Sequence, residues 1–383
     1  MKVPPPKVPP ACVLICAGLL LVSIGATAQY EGQYRYEGVA RVVAIGDLHG
    51  DYEQYLLTLR SAGLINEQDN WSGGKTHLVQ TGDVPDRGAD SGKIFTHLAN
   101  LKRQAWLAGG HVHTIIANHE AMNFTGDLRY THPGEYEVFV TPKSQKLQDE
   151  NYTASVANIM ETLPEEEWPV FDEDHRQQFN EQYPLGFVEH RQVWRAEGKH
   201  GAWVLRNPVA VVVNDSLFLH GGISSTYNTT SLEDLTKGVH AELLAGDVPK
   251  ESMTRGDDGP LWYRGLVRTP EAEEAANLEA ILKNNDVVRV VLGHTYALGI
   301  IFPRHGGKVL QIDTGISRRY GGQSSYLELS PDGLWAGYEA EKFNLPEPGK
   351  DALDHYIDRV AALYSENPEL QQEILERKVV KQP

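Results

Sequence analysis

Short apolar runs, each ending at a polar loop, recur along the chain. Arg41 to Ile45, Thr76 to Thr81, Val112 to Ala117, Val209 to Val213 with Leu217 to Leu219, and Val287 to Leu292 all read as buried β-strands. Helical spacing fills much of the rest. Asp51 is placed to cap a helix running through Ala62, with Gln54 three positions on as its capping-box partner. Thr269-Pro270 reads as N-cap and first residue of a helix that carries Ala275, Leu278 and Leu282 on one face. After His294 come two further short strands, Lys308 to Ile312 and Ser325 to Leu329. A last helix is marked by Leu353, Ile357, Val360 and Tyr364. Strands feeding helices in this way predict an α/β fold with its active site at strand C-terminal ends.

The regular pattern weakens between His119 and His220, where Glu, Tyr and Trp accumulate, as in Glu165-Glu166-Glu167-Trp168 and Phe171-Asp172-Glu173-Asp174. Residues from about 124 to 205 are therefore expected to form an insertion within a catalytic domain spanning 29–383. Acidic runs usually mark solvated faces, so a bland exposed insertion is the expected reading and a substrate-selecting cap the alternative.

The N-terminus changes the picture of where the chain works. Lys2 and Lys7 precede an apolar run from Ala11 to Gly25, and Ala26-Thr27-Ala28 is a small-x-small cleavage pattern. Residues 1–28 thus read as a secretory signal peptide, and the expected location is periplasmic or secreted. The run is shorter than the roughly 18 to 20 residues that span a bilayer, so no stable membrane anchor is expected after cleavage. Both cysteines, Cys12 and Cys16, fall within the segment to be removed. A large core, not disulfides, must then stabilise the remaining 355 residues, and 41% hydrophobic composition is ordinary for that task. Loss of Lys2 and Lys7 takes the formal charge from −17 to −19, which argues against a nucleic-acid partner. An anionic substrate must be drawn by local positive charge, from bound metals and a few arginines.

Candidate chemistry sits where strands end. Gly46-Asp47-Leu48-His49-Gly50 can aim a carboxylate and an imidazole at one cation. Asp83, in Gly82-Asp83-Val84-Pro85-Asp86-Arg87-Gly88, ends the next strand and can bridge two ions. Asn118-His119-Glu120 sets an amide oxygen beside an imidazole, and His220 and His294 each follow an apolar strand beside glycine. One such histidine is usually structural, but five recurrences of strand, ligand and glycine describe a two-metal phosphoesterase site. His111 and His113 would share one strand face, where strand-start histidines are preferred to a metal pair. Asp313 reads equally as a turn residue or as support for a ligand histidine. Asn70, Asn123, Asn151, Asn214 and Asn228 head Asn-x-Ser/Thr strings, which matter only in a eukaryotic secretory route.

In order and spacing these strings resemble the calcineurin-like metallophosphoesterases, specifically the phosphoprotein phosphatase branch. Gly259-Pro260-Leu261-Trp262-Tyr263-Arg264 and Asp313-Thr314-Gly315-Ile316-Ser317 resemble the Shewanella-like protein phosphatases, and the match runs from about Val42 to Ser317. The resemblance implies a β-sandwich of two mixed sheets flanked by helices, with the insertion between the third and fourth ligand motifs. It implies that Asp47, His49 and Asp83 hold one metal, and that Asp83 bridges to a second held by Asn118, His220 and His294. His119 would stand near the leaving-group oxygen, oriented by Asp86, while Arg87 and Arg264 grip phosphate oxygens. Departures are Ala117 where glycine is usual, Pro85 in place of an aliphatic residue, and Tyr296 where broader phosphodiesterases carry a histidine.

Such a site implies two divalent or mixed-valence ions, with Mn, Fe, Zn and Co all compatible with the donor set. A metal-bridging hydroxide would attack phosphoserine, phosphothreonine or phosphotyrosine esters directly, in proteins, peptides or small molecules. A small-molecule phosphatase or nucleotide pyrophosphohydrolase on the same fold is the alternative. A non-catalytic binding protein is disfavoured because every expected ligand and the acid are present.

Overall fold

The computed structural model describes residues 32–339 and 341–378. The expected signal segment 1–28 lies outside them. Twelve strands are assigned among the described residues: β1 (Arg35–Tyr36), β2 (Val42–Ile45), β3 (His77–Gln80), β4 (His111–Thr114), β5 (Ala210–Val213), β6 (Ser216–Leu219), β7 (Arg289–Leu292), β8 (Phe302–Arg304), β9 (Val309–Gln311), β10 (Ser325–Ser330), β11 (Gly333–Tyr338) and β12 (Lys342–Asn344). They form two six-stranded mixed sheets, ordered β1-β5-β6-β7-β9-β8 and β12-β11-β10-β2-β3-β4. Parallel pairing joins β2 to β3 to β4 and β6 to β7 to β9, so the loops after these strands leave on a common side of each sheet.

Alternation along each strand explains why the sheets stack. Val211, Val213, Phe218, Val291 and Leu310 of one sheet pack in a single cluster with Val42, Ala44, Val79, Leu327 and Ala336 of the other. Their neighbours Ala210, Val212, Leu217, Leu219, Val290 and Leu292 point to the opposite face and pack with Leu235, Leu278, Ile281 and Leu282 from helices. The strands are therefore apolar on both faces, which is why each reads as a continuous apolar run. The helix Lys350–Leu363 adds Tyr356, Ile357 and Val360 to the interior cluster.

The expected strands are present with ends moved by one to three residues, and β1, β8, β11 and β12 had not been expected. β11, GLWAGY, lacks a clean apolar run, and its pairing with β10 and β12 holds it in place. At the helix Tyr52–Ser61 the Asp51 carboxylate accepts the Gln54 backbone N–H at 3.2 Å, whereas Gln54 Oε1 is buried without a partner. Only half of the expected capping box forms. The helix Glu271–Asn285 starts one residue later than expected, with Pro270, not Thr269, at the N-cap.

The described residues divide into two compact units, one of 136–193 and one of 32–135, 194–339 and 341–378. Within the first, the Tyr183 ring lies between those of Phe179 and Phe187, tilted to one and edge-on to the other with centroids 4.6 and 4.9 Å away, and Gln148 Nε2 donates to the Tyr183 carbonyl at 2.8 Å. Its acidic runs are exposed. One of them begins a helix: the Asp172 carboxylate accepts the His175 N–H at 3.0 Å, with Glu173 and Asp174 in the first turn.

Candidate metal centre

Sharp turns at the strand ends set this centre. His49, Asp83, Asp86, Arg87 and His294 all have left-handed backbones, with φ of 44°, 53°, 73°, 67° and 65°. Such conformations cost a non-glycine residue about 1 to 3 kcal/mol, so the surrounding hydrogen bonds must enforce them. Leu48 and His49 N–H both donate to the Asp83 carbonyl at 3.0 Å, and Gly50 N–H donates to that of Val84 at 2.8 Å, zipping the first two loops together. Glycine is required where they touch. A Cβ at Gly50 would stand 2.6 Å from the Gly88 carbonyl, and one at Gly293 would stand 2.6 Å from Asp47 Oδ1.

Four imidazoles are each tied by one nitrogen and present the other inward. His220 Nδ1 donates to the Thr81 carbonyl at 2.9 Å, which leaves Nε2 with its lone pair facing Asn118 Oδ1 at 2.8 Å, His294 Nδ1 at 3.0 Å and Asp83 Oδ2 at 3.3 Å. His294 Nε2 donates to the Trp262 carbonyl at 3.2 Å, so its Nδ1 is the inward atom. His49 Nδ1 faces the Pro85 carbonyl at 3.3 Å, and its Nε2 looks toward Asp83 Oδ2 at 3.9 Å and Asp47 Oδ2 at 4.0 Å. His119 differs in its anchor: Nδ1 meets the Asp86 carboxylate at 2.5 Å, with Nε2 3.8 Å from Asp83 Oδ2. A carbonyl anchor fixes the tautomer that a ligating imidazole needs, and the carboxylate partner of His119 raises its basicity, which serves ligation and proton transfer alike.

Burial and neighbouring charge polarise the groups accordingly. Burial opposes ionisation of Asp83, yet His119, His220 and His49 around it hold its carboxyl well below the ordinary range. Burial, with Asp313 and Asp83 close by, pushes Asp47 well above it. Burial and His119 lower His49 to about 4, and burial, His220 and Arg264 lower His294, so both rings stay neutral donors. His119 is raised despite its burial, by Asp83 and the Asp86 hydrogen bond. Donor atoms of His49, Asp83 and His119, and of Asp83, His220 and His294, lie within 4.8 Å of one another in two groups that share Asp83. The first differs from the expected trio in having His119 beside His49 and Asp83, while the Asp47 oxygens lie 4.0 Å from His49 Nε2 and accept the His294 N–H at 3.1 and 3.2 Å. This donor chemistry fits divalent ions.

Residues 40–297 match the calcineurin-like phosphoesterase family. The chain belongs to that family. It is 32% identical over 302 residues to Shewanella-like protein phosphatase 2 of Arabidopsis thaliana, covering 75% of this chain and 74% of the relative. To Shewanella-like protein phosphatase 1 of Plasmodium berghei it is 29% identical, covering 72% and 67%. Among solved structures it is similar to the cold-active protein-tyrosine phosphatase of a psychrophilic Shewanella, at TM-score 0.59 and 27% identity over 82% of both chains. Family and relatives make this calcineurin-like phosphoesterase a hydrolase of the phosphatase kind, and the family implies divalent metals.

The two arginines stand at the same centre. Arg264 Nη2 lies 3.5 Å from His294 Nδ1, and Arg87 stacks on the Tyr130 ring at 3.8 Å. In each, Nε is buried without a partner. Several supporting residues went unread in the sequence. The Glu120 carboxylate accepts the backbone N–H of Asp83, Val84 and Ala117 at 3.1, 2.8 and 3.1 Å, clamping the second and third loops. Asn123 Nδ2 and Thr131 Oγ1 both donate to Asp86 Oδ1, at 2.9 and 3.1 Å. Asn123 is 1% exposed, which removes it as a glycosylation acceptor in the folded chain. Its position four residues after His119, one helical turn on, was the available signal. Tyr130 and Tyr320 flank His119 and His49, with ring centroids 5.3 and 5.2 Å away.

The departures from the family pattern also have local reasons. Ala117 has an extended backbone, φ −124° and ψ 178°, that needs no glycine, and its methyl fills the space a Cβ on Gly82 would take. Tyr296 turns away to donate to the Tyr320 carbonyl at 2.9 Å. Asp313 hydrogen-bonds to Asp47, not to a histidine, and accepts the Gly315 N–H at 3.2 Å, while burial raises it to about 6.

Proposed function

We propose that this calcineurin-like phosphoesterase is a dinuclear metal-dependent phosphomonoesterase acting on phosphoserine, phosphothreonine or phosphotyrosine esters. The observation that carries the reading is the place of Asp83, a buried carboxylate shared by both groups of inward-facing donors. Asp47, His49 and Asp83 would hold one ion, and Asp83, Asn118, His220 and His294 the other. Bound divalent ions would supply Lewis acidity and activate water at neutral pH. Arg87 and Arg264, whose guanidinium groups stand beside Tyr130 and His294, bind the phosphate oxygens. His119 protonates the departing oxygen from Nε2, and Asp86 fixes the ring and stabilises its charged form. Flanking Tyr130 and Tyr320 give the site aromatic walls, in keeping with the tyrosine-phosphate substrate named for the Shewanella relative. We place the enzyme in the periplasm or outside the cell, on the signal-peptide pattern of residues 1–28.

The test is to measure bound metals in the purified protein and then assay matched phosphotyrosine and phosphoserine peptides, a nucleotide and a phosphodiester. Faster turnover of the phosphopeptides is expected. A clear preference for the nucleotide or diester would replace this reading with the small-molecule alternative on the same fold.

A further inference from the structure

A cavity of about 1260 Å³ opens between the start of the helix Glu271–Asn285, the edge strand β8, the start of the helix Lys350–Leu363 and the end of the helix Pro368–Glu376. None of the donors at the candidate metal centre lines it, although Thr295 and Tyr296, which directly follow His294, do. Its size suits an organic molecule, not a lone ion. Much of the wall is apolar, built from Pro270, Ala272, Leu298, Phe302 and Leu353.

Most charges in that wall are matched inside the protein. Arg304 is held by the Glu271 carboxylate at 3.3 Å and by the Val267 and Thr269 carbonyls, Lys350 pairs with Asp354, and Lys378 with Asp358. The exposed Arg268 and Glu273 are of opposite sign and cancel. Arg377 is the exception. Its guanidinium lies over the Phe302 ring, 4.6 Å from the centroid, and makes no hydrogen bond or ion pair among the described residues. Burial and the charge of Arg304 lower it to about 10, and no carboxylate offsets them. Stacking on Phe302 compensates one face of the group but leaves its edge without an acceptor. In a chain of net charge −17, a largely buried guanidinium without a carboxylate points to a partner from outside the chain.

We infer that this cavity binds a small organic monoanion, a carboxylate carried on an apolar aryl or alkyl body, with Arg377 as its charge partner. The carboxylate takes the fork of the guanidinium Nη groups, and the body lies along Phe302, Leu353 and Pro270. One unmatched cation calls for one negative charge. An apolar wall disfavours inorganic phosphate, which has no apolar part to bury. The occupant is separate from the phosphate ester of the metal centre, because none of the donors or arginines placed there lines this cavity.

Calorimetric titration of the metal-loaded full chain with 2-naphthoate tests the site, with 2-naphthalenemethanol as the uncharged counterpart. Wild type should bind one naphthoate per chain, ~10-fold or more tightly than the alcohol. Arg377→Met keeps an apolar side chain against Phe302 and removes the unmatched charge, so its stability in urea should be no lower than that of wild type. In that variant the preference for naphthoate should disappear, its affinity falling ~10-fold or more while the alcohol binds as before. Ala272→Trp, which fills the cavity from the exposed start of its helix, should weaken both probes. Naphthoate binding unchanged in Arg377→Met, as when the carboxylate goes to the metals instead, overturns the site. So does equal affinity of wild type for the two probes, or no binding of naphthoate at millimolar concentration. Should Arg377→Met fail to fold, Ala272→Trp decides: naphthoate bound as tightly as by wild type overturns the site.

Discussion

Glu120 and His119 are adjacent in the chain and do unlike work. Glu120 is wholly buried, and burial together with the Asp83 charge raises its carboxyl to about 8, yet three backbone N–H groups converge on it. Glu120→Gln swaps an acceptor for an NH₂ facing those donors, leaving at least one unsatisfied. A loss of about 1 to 3 kcal/mol in urea unfolding is expected, together with reduced turnover as Asp83 shifts. If its ring serves proton transfer as proposed, His119→Asn should lower kcat by about 10² to 10⁴ while metal content by mass spectrometry stays unchanged. Asp83→Asn should instead lose both turnover and metal. Retention of full metal content in Asp83→Asn would remove the carboxylate from its shared role.

At the level of elements, the loops are exact because the strands beneath them are. Leu327 of β10 is fully buried between the sheets, and Leu327→Ala should cost about 2 to 5 kcal/mol in chemical denaturation through the cavity it leaves. Lys102 joins the helix Ser91–Leu107 to β4 by donating to Thr114 and, beyond the strand, to Asn207. Burial, reinforced by Arg206, lowers its amine to about 8. Below pH 8 the amine is protonated in folded and unfolded chains alike, and folding bears the cost of burying the charge. Between pH 8 and about 10.5 only the unfolded chain keeps the proton, so this group makes stability rise with pH. Wild type should therefore gain about 3 kcal/mol relative to Lys102→Met between pH 7 and 11, followed by urea unfolding at fixed ionic strength. A pH-independent difference between the two proteins would refute a buried charged amine.

For the whole molecule, charge and chemistry pull in opposite directions. A net charge of −17 repels dianionic phosphate esters at long range, while on the proposed reading the metal centre and two arginines would attract them at short range. Raising salt from about 10 to 150 mM shortens the screening length from ~30 to ~8 Å. kcat/KM for an acidic phosphopeptide should then increase with kcat unchanged, as read in steady-state assays. A fall in kcat/KM would indicate a positive approach surface that outweighs the net charge. Chelation should abolish turnover, and it should lower the melting temperature too, since ligands from several loops lose the ions that bind only the folded state.

Much of this was legible in the chain because a buried strand must be apolar and its ligand must follow at the next turn. Apolar runs ending in Asp47, Asp83, Asn118, His220 and His294 announce the sheets and the donors together. Sequence alone also points to Asp86 as the partner of His119, through the Asp-Arg-Gly string and the family resemblance. The tertiary structure decided the rest, for three physical reasons. Short edge strands such as β1 and β12 have no intrinsic signal, and exist because a neighbouring strand offers its backbone. Tautomers are set by distant carbonyls, as when Thr81 accepts from His220 across 139 positions, which no local pattern encodes. And Glu120, Asn123 and Tyr320 join the centre through contacts that arise only when separate loops meet. Residue type at strand ends determined which atoms are available to a metal; the packing of two sheets decided where each of those atoms points.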